Sequence, residues 1–167
     1  EALPCSIPPQ GESNHEIKLL VKTYIPTKEK SVVEDISKEL FARLRGSNNL
    51  VFANSRHETE EYAVKLSDMS DENGVPNEFR VHHGSLSKIE RETVEHELQQ
   101  GIHPLTAICT STMELGVDIG KVKSIAQIGS ATSVSGLRQR LGRSGRRNEP
   151  SILRVFSTET GEGILFD

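Results

Sequence analysis

Short apolar runs alternate with helix signals along this chain, and this alternation restricts the fold more than any other feature of the sequence. The patterns predict strands at 17–25, 50–53, 79–82, 105–109, 124–128 and 152–156. They predict helices at 32–44, from 55 to a loop at 70–77, at 87–100 and through 137–141, with capping boxes that begin at Ser31, Ser55 and Ser87. Such an order is typical of a mainly parallel sheet flanked by helices, a three-layer α/β fold.

Polar residues follow several of the predicted strands. Parallel α/β sheets bind ligands at the carboxyl ends of their strands, so these residues are the first candidates for a site. They are Asn54-Ser55-Arg56, His83-Gly84-Ser85, Thr110-Ser111-Thr112, and Gly129-Ser130 with an arginine cluster beyond it. Hydroxyls and backbone N–H groups at helix N-termini bind phosphates without reading bases, although each such residue can also be simply a helix cap.

The arginine cluster lies at 138–147 and holds five arginines and two glycines. Guanidinium groups stay charged and match phosphate oxygens, and glycine lets a backbone approach a ligand closely. The cluster therefore predicts an anion site, with phosphate as the anion; the alternative is a solvated basic helix end. Because the formal net charge of the chain is −4, any binding of nucleic acid has to be local.

The composition argues against three other classes of protein: disulfide-rich, zinc-binding and membrane-spanning. Cys5 and Cys109 are the only cysteines and form no CxxC pair, which favours a reducing, cytoplasmic compartment over a disulfide framework. His82, His83, His96 and His103 match no zinc spacing, so we predict no metal site, and His83 is expected at a strand end near nucleic acid. No apolar run reaches membrane-spanning length.

The ends of the chain suggest part of a longer protein. Residues 1–15 contain three of the seven prolines and are predicted to be a linker or extension, with one domain at 16–167. The sequence begins without Met and ends soon after an apolar triplet at 164–166, so we expect that both ends have been cut.

Three segments resemble ordered motifs of superfamily-2 (DEAD/DEAH-type) helicases. Residues 50–56 (LVFANSR) resemble motif IV, 110–119 (TSTMELGVDI) motif V, and 139–146 (QRLGRSGR) motif VI. These motifs belong to the second RecA-like domain, which is P-loop NTPase-like, also called the helicase C-terminal domain. The amino-acid sequences at 82–87 and 113–120 resemble those of the large-helicase-related (Lhr) group of DNA helicases.

The resemblance implies an ATP site at motifs V and VI. It makes Arg143 and Arg146 catalytic arginine fingers, while Arg140 has a supporting role inside the domain. Nucleotide contacts are implied for Gly116, Asp118 and Gln139. The alternatives are a salt bridge for the two fingers and an ordinary turn-stabilising role for Asp118.

The resemblance also implies contacts to single- or double-stranded nucleic acid, DNA rather than RNA. The implied residues are Ser55, Arg56, Gly84, Arg91 and Thr110. Arg91 occupies the arginine of the QxxR element of the family. That element is only half present, because Lys88 stands where glutamine is common.

The chain contains no Walker A pattern. We therefore expect it to form one wall of an ATP site whose Mg²⁺ ligands and phosphate loop lie in an N-terminal RecA-like domain of the same protein, and to be inactive alone. One alternative function is a non-catalytic RecA-like protein-interaction module. Another is an unrelated phosphate-binding enzyme of the doubly wound class, although no G-x-G-x-x-G follows the first strand.

Overall fold

A computed structural model describes residues 16–26, 31–113, 117–120, 122–130, 134–144 and 150–158. The strands are β1 (Ile17–Tyr24), β2 (Asn49–Phe52), β3 (Phe79–His82), β4 (Thr106–Cys109), β5 (Ser124–Ile128) and β6 (Ser151–Thr158). The helices are α1 (Val32–Leu44), α2 (Arg56–Glu72), α3 (Lys88–Gln100) and α4 (Val134–Leu141), and a short 3₁₀ turn covers Ser111–Met113. The predicted linker at 1–15 lies outside the described residues.

The six strands form one sheet in the order β1-β6-β5-β2-β4-β3, and every neighbouring pair is parallel. The prediction of a parallel sheet with helices is thereby confirmed. Every residue of β2, β4 and β5 is buried, because helices cover both faces of the central strands.

Two apolar clusters, one on each face, hold the helices to the sheet. On one face Val94 and Leu98 of α3 pack with Leu50 and Phe52 of β2, and Leu137 of α4 packs against the same cluster. On the other face α1 and α2 pack on the sheet through Ile36, Leu40, Tyr62, Leu66, Val51 and Ile108. Successive strand residues point to opposite faces, so Val51 joins one cluster and its two neighbours join the other.

The predicted starts of α1, α2 and α3 are correct, and α4 begins at Val134, before the predicted 137–141. Two further details are wrong. Ser55 and Ser87 form complete capping boxes. Ser31 makes no side-chain cap bond, and the Glu34 carboxylate, which would accept from the Ser31 N–H in a capping box, instead pairs with Lys38 at 3.0 Å, one turn along α1. The loop predicted from residue 70 begins later, since α2 continues to Glu72 and the hydroxyl of Ser70 donates to Leu66 O inside the helix at 2.8 Å.

Parallel strands give the sheet two unlike edges. We call the edge where the strands end the carboxyl edge and the edge where they begin the amino edge. The helices run back between consecutive strands, so each starts near the carboxyl edge and ends near the amino edge. Among the described residues, none of the helices is both long and apolar enough to cross a membrane.

Candidate functional site

The carboxyl edge gathers polar groups from three adjacent strands. Because β2, β4 and β3 are neighbours, the residues that follow them meet. Arg56 at the start of α2 donates from Nη1 to Ser85 Oγ at 2.9 Å, across the ends of β2 and β3. The N–H of Thr110 donates to His82 O at 3.3 Å, which joins the end of β4 to the end of β3. The predicted contacts Arg56 and Thr110 therefore lie on one continuous surface.

Ser55 and Gly84 differ in what they leave available on this surface. The Ser55 hydroxyl accepts from the N–H of Glu58, and the Ser55 N–H donates to the Glu58 carboxylate, so both groups of Ser55 serve the cap of α2. A Cβ added at Gly84 would meet no atom within 4 Å, and the residue is exposed. Open space over Gly84 allows a ligand backbone to come close.

Arg91 lies in the second turn of α3, beside the same edge. Its Nε is buried and has no hydrogen-bond partner among the described residues. A guanidinium with an unused buried donor is suited to a phosphate or another acceptor. Lys88, at the glutamine position of the half-present motif, instead lies on the exposed face and pairs with Glu92 at 3.5 Å.

The start of α3 is held by the cap at Ser87. The N–H of Ser87 donates to the Glu90 carboxylate at 2.9 Å, and the N–H of Glu90 donates to Ser87 Oγ. Hydrogen bonds from Ser87 lower the pKa of the Glu90 carboxyl below its ordinary value. The part of the cap that uses the Glu90 carboxylate stabilises the helix fully above the ordinary pKa, and this part is lost as the pH falls through the lowered value.

Gly129 and Asn54 close the carboxyl edge between β5 and β2. Asn54 Nδ2 donates to Ser130 O at 3.0 Å. Gly129 has a φ of +72°, and a Cβ there would come within 2.9 Å of Asn54 Nδ2. Only glycine combines this backbone conformation with so close an approach.

Within the described part of the arginine cluster, Arg143 does not continue this surface, contrary to the sequence-based expectation. Arg143 O accepts from the N–H of Val122 at 3.0 Å, and Val122 pairs with Ser144 just before β5 begins. The end of α4 therefore lies at the amino edge. The reason is the direction of the helix, which starts near the end of β5 and runs back toward the start of β6.

At the amino edge Arg143 contacts a short segment at 117–120, which contains Asp118. Arg143 Nη1 donates to Val117 O. The neighbouring Asp118 is exposed, and its Oδ2 accepts from Gln99 Nε2 at 3.2 Å. Gln139 on α4 is exposed as well. The structure thus brings Arg143 beside Asp118, while Gly116 and Arg146 lie outside the described residues.

Arg140 has the supporting role that was predicted for it. Its side chain is buried, its Nη1 donates to Gln127 Oε1, and its guanidinium lies 4.5 Å from the centre of the Phe52 ring. A buried guanidinium over an aromatic face gains a cation–π contact in addition to its hydrogen bond. Arg140 therefore ties α4 to β5 and β2.

Sequence reasoning missed His82. Its ring is 1% exposed, with Nδ1 2.9 Å from Thr112 Oγ1 and Nε2 2.8 Å from Glu95 Oε1. A histidine as the last residue of a predicted strand was a signal, but nothing in the sequence identified its partners. His83 is also buried; its Nε2 lies 3.1 Å from Glu60 Oε1 without hydrogen-bond geometry. The described residues contain no group of three or more potential metal ligands.

Comparisons with known proteins identify the family of this chain. The family model "Helicase conserved C-terminal domain" matches residues 31–148. The ATP-dependent helicase Lhr-Core of Saccharolobus solfataricus is 36% identical over 157 aligned residues, and the match covers 91% of this chain and 17% of that protein. This chain thus spans about a sixth of the length of that relative.

Two solved structures share the fold. The Mycobacterium smegmatis helicase Lhr, bound to ssDNA and AMP-PNP, has a TM-score of 0.74 and 29% identity; the match covers 90% of this chain and 20% of that one. The C-terminal domain of the DEAD-box protein Dbp5 has a TM-score of 0.63 and 19% identity, covering 83% and 77%. The chain therefore belongs to the helicase conserved C-terminal domain family, has the RecA-like fold of that family, and is of the Lhr type.

Proposed function

We propose that this chain is the C-terminal motor domain of an ATP-dependent superfamily-2 helicase that acts on nucleic acid, DNA in particular. The observation that carries the proposal is the hydrogen bond from Arg143 to the carbonyl of Val117, which holds a guanidinium one residue along the chain from the exposed Asp118. The Lhr helicase that shares 29% identity is bound to ssDNA and AMP-PNP, a nucleotide analogue. Cytoplasmic location is part of the proposal.

Arg143 and Arg146 are proposed to act as arginine fingers on an interdomain ATP site. When bound, ATP supplies a γ-phosphoryl group whose transfer to water develops negative charge. A guanidinium held in place by the Val117 carbonyl is a preorganised counter-charge for those oxygens. Asp118, Gln139 and Gly116 would contact the nucleotide from the same wall.

The other wall of the ATP site is proposed to belong to an N-terminal RecA-like domain of the same protein. No Walker A pattern occurs in this chain, and the described residues offer no cluster of three or more metal ligands. We therefore assign the phosphate loop and the Mg²⁺ ligands to that partner domain.

The carboxyl edge is proposed to hold the nucleic-acid strand. Arg56 with Ser85, the open space at Gly84, and the unused buried donor of Arg91 support phosphate contacts there. Thr110 would add a hydroxyl, and Ser55 would contribute chiefly by holding the start of α2. Such contacts bind the phosphate backbone of the nucleic acid and do not distinguish one base from another.

Hydrolysis measurements on two forms of the protein test the motor function. We expect the full-length protein to hydrolyse ATP faster when single-stranded DNA is added. The isolated chain should show no turnover above a no-enzyme blank, because it lacks a phosphate cradle. Turnover by the isolated chain that disappears on Arg143→Ala would contradict the proposal, and so would full-length protein that does not hydrolyse ATP.

Affinity for single-stranded nucleic acid, measured over a series of salt concentrations, tests the proposed binding surface at the carboxyl edge. We expect Arg56→Ala to weaken single-strand binding by the full-length protein about fivefold, or ~1 kcal/mol, and equally for unrelated sequences. The slope of log affinity against log salt should become shallower by roughly 0.7, the contribution of one phosphate.

Arg80→Ala is the matched control for this series. Arg80 is an exposed arginine of β3 that donates to Asn77 O and Phe79 O on the amino-edge side of the strand. We expect both its affinity and its salt slope to match the wild type. Sequence-selective weakening by Arg56→Ala, or equal effects of the two substitutions, would contradict the assignment of the carboxyl edge.

A further inference from the structure

Helix α3 carries three polar side chains at a spacing of four residues: Arg91, Glu95 and Gln99, here called the α3 row. Residues four apart lie on one side of an α-helix, and eight residues span about 12 Å. The row therefore runs along one side of α3 from near its start to near its end. Since α3 starts at the carboxyl edge and ends near the amino edge, the row joins the two halves of the candidate site.

The middle of the row holds a buried imidazole. Glu95 Oε1 is 2.8 Å from His82 Nε2, and His82 Nδ1 is 2.9 Å from Thr112 Oγ1. The Thr112 hydroxyl also lies 3.3 Å from His82 O. With a partner on each ring nitrogen, His82 has one orientation, and Glu95 thereby fixes the position of Thr112 just after β4.

Gln99, at the end of the row, contacts Asp118, which is proposed to bind the nucleotide. Gln99 Nε2 donates to Asp118 Oδ2 at 3.2 Å, one residue from the carbonyl of Val117 that Arg143 contacts. Asp118 is thus attached to α3 directly, and Thr112 is attached to the same helix through His82 of β3. The attachment at Thr112 is the buried one.

The start of the row lies at the carboxyl edge, where nucleic acid is proposed to bind. Arg91 is the row member with a buried donor that has no partner among the described residues. A phosphate bound by Arg91 would act on the helix whose other two row members hold Thr112 and Asp118.

We infer that Glu95 is a positioning residue of the motor. It acts through His82 to hold Thr112, and α3 thereby transmits strand binding at Arg91 to the Asp118 side of the ATP site. This inference rests on the proposed function. Glu95 itself contacts neither ATP nor the strand, so its effect should appear in strand-stimulated turnover and not in strand affinity.

The test uses the full-length protein with single-stranded DNA and saturating ATP. Glu95→Ala is expected to lower strand-stimulated kcat about tenfold. The DNA concentration that gives half-maximal stimulation should stay within about twofold of wild type, because no strand contact is lost. Glu95→Gln should recover kcat to within about threefold, since its Oε1 can still accept from His82 Nε2.

Glu92→Ala is the matched control, since Glu92 is an exposed acid on the same helix whose contact is with Lys88. It is expected to behave as wild type. A Glu95→Ala protein that matches Glu92→Ala, or a Glu95→Gln protein as impaired as Glu95→Ala, overturns the inference. A large rise in the half-maximal DNA concentration also overturns it, because Glu95 would then serve strand binding.

Gln99→Ala keeps the inference testable if Glu95→Ala does not fold, as judged by circular dichroism. Gln99 is exposed, and its substitution leaves the buried pair of Glu95 and His82 intact. We expect about a threefold lower strand-stimulated kcat with unchanged half-maximal DNA; an unchanged kcat overturns the inference. Wild-type protein without DNA-stimulated hydrolysis would overturn the proposed function and this inference with it. Normal stimulation that Glu95→Ala leaves intact overturns the inference alone.

Discussion

Replacing Arg143 by alanine in the full-length protein is expected to lower kcat for ATP hydrolysis by at least ~10²-fold. The expectation follows from the proposed role of the guanidinium, which meets charge that develops in the transition state. Loss of its hydrogen bond to Val117 O would cost only ~1 kcal/mol of stability, so the protein should remain folded. Steady-state hydrolysis with and without DNA measures kcat, and thermal unfolding checks the fold.

Two further variants separate this catalytic role from a structural one. Arg143→Lys keeps a donor for Val117 O but replaces the planar fork with a point charge, so kcat should stay within about tenfold of the alanine variant. Arg138→Ala, at an exposed arginine of α4, should retain kcat within about threefold. Near-normal hydrolysis by Arg143→Ala, or full recovery by lysine, would show that Arg143 is a structural contact.

Replacing Arg140 by alanine is expected to destabilise the isolated chain by ~3 kcal/mol. The substitution removes the contact with the Phe52 ring and leaves the buried Gln127 Oε1 without its guanidinium donor. A buried polar atom that loses its partner carries its full desolvation cost. Urea unfolding followed by circular dichroism gives the free energy of unfolding directly.

The control for this prediction is again Arg138→Ala, which should change the free energy of unfolding by less than about 0.5 kcal/mol. The double variant Arg140→Met with Gln127→Leu removes both polar partners and keeps their volume. It should recover part of the stability lost in Arg140→Ala, because no buried Gln127 amide is left unpaired, while Asn54 Oδ1 and Ile128 O lose the Gln127 Nε2 donor. Equal unfolding free energies for Arg140→Ala and Arg138→Ala would mean that the buried guanidinium contributes nothing to stability.

Local patterns in the sequence were sufficient for the elements of the fold. The apolar spacing from Val32 to Leu44 predicted α1 with its observed bounds, and the capping boxes at Ser55 and Ser87 marked two helix starts correctly. These features depend on neighbours three or four residues apart, which any sequence displays directly. Ser31 shows the limit, since its hydroxyl makes no cap bond and the Glu34 carboxylate that would complete the capping box pairs with Lys38.

The family could also be predicted from the sequence. Motifs IV, V and VI are each one short continuous segment, and they follow one another along the chain in the order typical of the family. The supporting role of Arg140 was predicted correctly by setting it apart from its neighbours in the cluster. The roles of Arg143, Arg146 and Asp118 in ATP hydrolysis remain predictions, since they depend on a second domain.

The sequence by itself determined the order of strands and helices, the burial of the central strands and the family. Only the tertiary structure decided which polar groups share an edge. In the structure the end of α4 lies at the amino edge, and His82 contacts Glu95 and Thr112, which are 13 and 30 positions away in the sequence. Such contacts depend on the sheet order and on the direction of each helix, and these emerge only when the whole chain packs around its core.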